Sequence, residues 1–229
     1  MQIAINSELT SIKNTNIPGL ILFNKLSDIP KSNTFFCSTL NDCEYLNANM
    51  YGIVKFFNLS VINWLAFVKD NYMNYDSYFK LACQLNNNDL GHFCRINSNN
   101  KNIHGKILNN IYDISSIQNS MQEDTILLLS TNKTINNEVR FFIINDEIID
   151  YVEIPNKNNK LTNNVIEKYK EFVNKMNNYY QPDDMFSIDI GTNYLNEIKI
   201  IDYNCFSLSN FYNMNLTKIT AEIKKHFLA

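Results

Sequence analysis

At 229 residues and 26.7 kDa, with 45% hydrophobic and 19% charged side chains, the chain has the apolar content to bury a core and lies outside the composition of disordered chains. A formal net charge of −3 and a pI near 5.6 provide no basic face to displace counterions, which argues against gripping nucleic acid as the main task. The apolar runs 126–129 and 141–144 fall far short of the roughly 20 residues that span a bilayer, and the N-terminus lacks a basic start followed by an apolar stretch. A soluble protein with no membrane partner is expected, in the cytoplasm of the source cell or of a host.

Cys37, Cys43, Cys83, Cys94 and Cys205 are odd in number and share no metal-ligand spacing, so they read as buried thiols in a reducing compartment. The bias toward Asn, Lys, Ile and Tyr is that of an AT-rich genome, which makes the only arginines, Arg95 and Arg140, informative. A planar, bidentate guanidinium at those two positions is not replaced by lysine.

In chain order, apolar runs at 19–23, 34–37, 52–64 and 75–85 alternate with helical patterns and predict a small α/β unit over 1–88. From about residue 90 the pattern predicts strands at 92–96, 103–108, 125–130, 138–144 and 147–153, with Asn145-Asp146 as the turn of a hairpin. Val165, Tyr169, Phe172, Val173 and Met176 fall at helical spacing within 163–180, and Pro182 ends that helix. Strands at 185–190 and 194–203 and a helix over 216–227 complete a second unit, 89–229. The class expected is α+β.

Three constellations carry candidate chemistry. In GHFCRINSNNKNIHGKILNN, Arg95 ends a strand, Lys101 sits in a polar turn and Gly105 opens the next strand, a pattern suited to holding phosphate; an ordinary solvated hairpin has the same composition. In EVRFFIIN, Glu138 and Arg140 share a strand face, as a structural ion pair or as part of a phosphoryl-binding cleft. In FSIDIGTNYLNEIKIIDYNC, Asp189 ends one strand while Asp202 and Asn204 share a face of the next, offering three oxygen donors of the kind Mg²⁺ accepts. Acidic residues at strand ends also occur beside loops with no metal.

Arg and Lys on a hairpin, then LLLS, E-x-R, D and D-x-N, in this order, resemble the ATP-grasp superfamily, and within it a small single-chain clade of phages, large DNA viruses and bacteria. The clade's Arg, Lys and Gly match Arg95, Lys101 and Gly105; its E-x-R-x-F matches Glu138, Arg140 and Phe142; its acidic strands match Asp189 and Asp202 to Asn204. NTFFCSTLNDCEYL and NYMNYDSYFKLACQLNN are similar to its upstream segments, so the likeness covers most of 30–213. The chain departs from the clade in having Asp202 for the usual Glu, Ile96 for Pro, and Asn210 where Gly precedes the last Tyr. Asn tolerates positive φ and can preserve that backbone.

The resemblance implies two β-rich lobes that grip ATP after a small α/β N-terminal unit, and an ATP- and Mg²⁺-dependent ligase joining a carboxylate to an amine through an acyl phosphate. It implies Mg²⁺ at Asp189, Asp202 and Asn204, phosphates at Arg95, Lys101 and Gly105, and the transferring phosphoryl group at Arg140 with Lys101. Adenine is implied at the hinge 128–133, hence Leu128, Leu129 and Ser130, with Glu138 near the ribose. The turn 97–106 is the expected lid, and His104 within it reads as polar surface. Two other readings stay open: a nucleotide-binding module that no longer ligates, and a metal-dependent phosphodiesterase using Asp189 and Asp202, which the net charge of −3 disfavours.

Overall fold

A computed structural model gives the fold and describes residues 1–12, 16–30, 33–57, 59–98, 105–154 and 161–228. In chain order the strands are β1 (Gln2–Asn6), β2 (Leu20–Phe23), β3 (Thr34–Cys37), β4 (Tyr78–Leu81), β5 (His92–Ile96), β6 (Lys106–Ile107), β7 (Ile126–Thr131), β8 (Glu138–Ile144), β9 (Glu147–Glu153), β10 (Met185–Thr192) and β11 (Ile198–Cys205). The helices are α1 (Leu40–Ala48), α2 (Val61–Val68), α3 (Ile111–Ser120), α4 (Asn163–Asn177) and α5 (Leu216–Leu228). The chain divides into two compact units: Met1–Phe57, Asn137–Ile190 and Asp202–Ala229 form the first, Asn58–Asn136 and Gly191–Ile201 the second.

The first unit holds a three-stranded parallel sheet, β2-β1-β3, and most of a four-stranded sheet, β11-β10-β8-β9. β8 and β9 are antiparallel, and the predicted turn is present: Asn145 and Asp146 take φ of 48° and 68°, the left-handed pair a two-residue hairpin requires. The core joins both sheets to α5 through Ile3, Phe35, Phe142, Phe206, Phe211 and Ile219. Within it Phe142 stacks on Phe211 at 5.1 Å and meets Phe206 edge-on at 5.6 Å. In α4 the predicted Tyr169, Val173 and Met176 are buried, whereas Val165 and Phe172 are half-buried and Ile166 takes the fully buried position.

The second unit is an antiparallel sheet, β4-β7-β5-β6, covered on one face by α3. Cys94, Leu127 and Leu129 pack there with Ile114 and Ile117. Because side chains alternate, Phe93, Arg95, Leu128 and Ser130 belong to the opposite face. α2 buries Trp64, edge-on to Tyr72 at 4.8 Å, and its first turn is capped by Asn97, whose Oδ1 accepts from the Ile62 amide at 3.1 Å.

Several expectations are corrected. The stretch 52–64 is an extended segment followed by the start of α2, and 75–85 gives the short β4 and a turn of 3-10 helix. The strand expected at 194–203 is Ile198–Cys205: Asn193 Oδ1 accepts from the amides of Leu195 and Glu197, and Asn196 sits at φ 59°, so a tight turn occupies its first part. β1 and α3 join the expected elements. Four cysteines are buried thiols as expected and none is in a disulfide, but Cys83 is exposed. Burial pushes the Cys43 and Cys94 thiols up to about 12, so both stay protonated and act as apolar filling. Among the described residues no helix is long and apolar enough to cross a membrane.

Candidate functional site

In the first unit, β8, β10 and β11 bring together the acidic and cationic residues singled out from sequence. Arg140 lies on β8, and its Nε and Nη2 donate side-on to Asp189 Oδ1 and Oδ2 at 2.7 and 2.8 Å. Both residues are buried, at 6% and 3% exposure, so the pair is a desolvated one. Burial works against the Arg140 charge, but Asp189 outweighs it and the guanidinium is held above its ordinary value. Nη1 donates to the Asn210 carbonyl at 3.4 Å. Three of the five N–H groups a guanidinium carries are thereby engaged, and the end-on fork of Nη1 and Nη2 is the part able to meet an incoming oxyanion.

Asn204 Nδ2 donates to Asp189 Oδ2 at 3.0 Å, which turns its Oδ1 away from Asp189 as an acceptor. Asp202, two residues earlier on β11, lies on the same strand face and is also buried. This donor set fits a hard cation: buried oxygens, two of them on one strand face, with a carboxylate to carry charge. Among the described residues no group of three His, Cys, Asp or Glu side chains is arranged to hold a metal unaided, which suits an ion whose coordination is completed by phosphate oxygens. Glu138 shares the β8 face with Arg140 and Phe142.

In the second unit the structure brings Arg95 and Gly105 together. A Cβ placed on Gly105 would lie 2.4 Å from the Phe93 ring and 3.5 Å from Arg95 Cβ, so the glycine is required by the close approach of β5 side chains. Asn97 is fixed to α2, and Lys101 and His104, with most of the expected lid, lie outside the described residues. The hinge residues separate by face. Leu128 and Ser130 share the Arg95 face, whereas Leu129 faces the α3 core. Leu128 and Leu129 also pair with strands on both sides, Phe79 and Arg95 for the first and Tyr78 and Cys94 for the second.

Past Ser130, β7 ends at a cavity of about 570 Å³ whose walls include Tyr75, Thr131, Lys133, Asn193, Tyr194 and Lys199. Asp76 organises its rim, accepting from Lys133 Nζ at 2.8 Å and from the Thr131 hydroxyl. Burial acts to raise the Asp76 carboxyl, but the bonds from Lys133 and Thr131 prevail and lower it below the usual carboxylate value. Sequence reasoning missed this cavity, and it missed Asn210 and Tyr212 as partners of Arg140, because all depend on contacts distant along the chain.

Among solved structures, the chain is similar to a D-alanine–D-alanine ligase from Bacillus anthracis, at a TM-score of 0.55 and 9% identity over 98% of this chain and 92% of that one. The same enzyme complexed with ATP gives a TM-score of 0.56 and 10% identity over the same shares. The ATP-grasp ligase PsnB complexed with its minimal precursor gives a TM-score of 0.49 and 11% identity over 74% of this chain, which spans 60% of the PsnB chain. No curated protein matches by sequence. The fold is therefore ATP-grasp, α+β, as the order of motifs implied. Residues 66–223 match the model of an ATP-grasp domain, the third family of its clade, and the chain belongs to that ATP-grasp family.

Proposed function

We propose that the chain is an ATP-dependent ligase that joins a carboxylate to an amine through an acyl phosphate, with Mg²⁺ as its metal. The observation that carries the reading is the buried side-on pair of Arg140 and Asp189, which aims a preorganised end-on guanidinium fork from beside Asp202 and Asn204. Asp202 and Asn204 Oδ1, with Asp189 beside them, would hold the ion, and the ion supplies neutralisation of phosphate charge. Arg95, Lys101 and Gly105 are assigned to the phosphate chain. Adenine is assigned to the end of β7 at Ser130 and the cavity beyond it, whose volume suits a small ligand. Leu128 shapes the Arg95 face, Leu129 supports it from the core side, and Glu138 is assigned to the ribose.

In the reaction a substrate carboxylate oxygen attacks the γ-phosphorus and the bond to the β–γ bridging oxygen breaks, releasing ADP. The amine nitrogen then attacks the acyl carbon, phosphate leaves, and the amine proton passes to phosphate or water. Arg140 acts where negative charge accumulates, on the oxygens of the transferring phosphoryl group. The test uses ATP, Mg²⁺, a panel of amino acids and peptides as carboxylates, and hydroxylamine as a small amine. Hydroxamate formed in equal amount with ADP is expected for an accepted carboxylate. Nucleotide binding with neither product across the panel would favour the module that binds ATP without ligating.

A further inference from the structure

The backbone of Tyr212 is in the left-handed region, at φ 46°, where a bulky aromatic residue is rare and strained. Its conformation is imposed from both sides. The Ser11 amide and the Thr10 hydroxyl converge on its carbonyl at 2.7 and 3.0 Å, and Asn210 Oδ1 accepts from its amide at 2.9 Å. The preceding residue is held too: the Phe211 amide donates to the Leu9 carbonyl at 2.6 Å, and its ring stacks on Phe142, two residues along β8 from Arg140. The result is a ring set over the Arg140 guanidinium, 5.9 Å from its centroid to Cζ. Asp189 fixes Arg140 within the guanidinium plane, and the Tyr212 ring faces that group from a third direction while Asn210 accepts from Nη1.

We propose that Tyr212 is a positioning residue for Arg140, held over it by the N-terminal segment Leu9, Thr10 and Ser11, so that the end-on fork is aimed at the transferring phosphoryl group before ATP arrives. The inference rests on the assignment of Arg140 to that group. It gives the strained backbone a purpose that packing alone does not, since Asn or Gly would adopt φ 46° at lower cost.

The experiment compares binding of Mg-ADP with binding of Mg-ADP plus fluoroaluminate, a mimic of the phosphoryl group in transfer, to the full chain and two variants. Tyr212→Asn removes the ring while suiting the left-handed backbone, and Tyr212→Phe keeps the ring. Wild type is expected to bind the fluoroaluminate complex more tightly than Mg-ADP. Tyr212→Asn should lose about tenfold of that preference with Mg-ADP affinity unchanged, the size expected of a desolvated cation–ring contact, and Tyr212→Phe should restore it. Equal preference in Tyr212→Asn and wild type overturns the proposal. So does an equal fall in affinity for both ligands, which marks a role in general folding. If wild type binds Mg-ADP but shows no preference, the assignment of Arg140 fails and takes the positioning role with it. If wild type does not bind Mg-ADP, the ligase reading itself fails.

Discussion

Replacing Asp189 by alanine should destabilise the protein by about 3–5 kcal/mol, the cost of leaving one partner of a buried ion pair uncompensated. Arg140 is 6% exposed and loses two hydrogen bonds, of 2.7 and 2.8 Å, in a place water does not reach freely. Asn204 loses its acceptor at 3.0 Å as well. The cost belongs to the stranded charge and not to the net strength of the pair, so Arg140→Met combined with Asp189→Leu should recover most of the stability while giving no active site. Urea denaturation of the two proteins measures both halves. Equal destabilisation of the single and double variants would contradict the account of the pair.

Phe142→Ala should cost a further large amount, about 3–5 kcal/mol, because it removes a wholly buried ring from the centre of the first unit's core. Phe142 stacks on Phe211 and meets Phe206 edge-on, and Phe206 in turn packs on Phe35 of the parallel sheet at 6.1 Å. The cavity therefore opens where β3, β8 and the segment leading to Tyr212 meet. Phe142→Leu, which fills much of the volume, should lose clearly less, and a cost of Phe142→Ala under about 1 kcal/mol would show that the core collapses around the gap.

What sequence revealed and what it hid follow from how local each determinant is. The runs TFFC, HFCRI, EVRFFII and EIIDYVE are strands at the expected positions because each carries a short apolar pattern bounded by turn residues. Asn145-Asp146 was readable because a two-residue turn specifies itself. α3 was not, since IYDISSIQNS is rich in β-branched residues; the capping box between Asn110 and Asp113 and the inward Ile114 and Ile117 make it a helix. At the site, Glu138, Arg140, Asp189, Asp202 and Asn204 were legible as residue types with strand spacing. That Asp189 would take Arg140 side-on was not, because the two are 49 residues apart and meet only once β8 and β10 are in one sheet. The strain at Tyr212 was misplaced by sequence, which pointed to Asn210: Asn210 instead uses its side chain to accept from the Tyr212 amide, and Tyr212 carries the positive φ.

The central claim is a Mg²⁺-nucleotide site that depends on Asp202. Its most direct test is thermal unfolding of wild type and Asp202→Ala with Mg²⁺ alone and with Mg-ADP at about 100 times the wild-type dissociation constant. A ligand at that level stabilises a protein by roughly 2.7 kcal/mol, so wild type should unfold several degrees higher with Mg-ADP than with Mg²⁺ alone, and Asp202→Ala should unfold at the same temperature in both. An equal rise in both proteins would remove Asp202 from the site, and no rise in wild type at saturating nucleotide would contradict the nucleotide site itself.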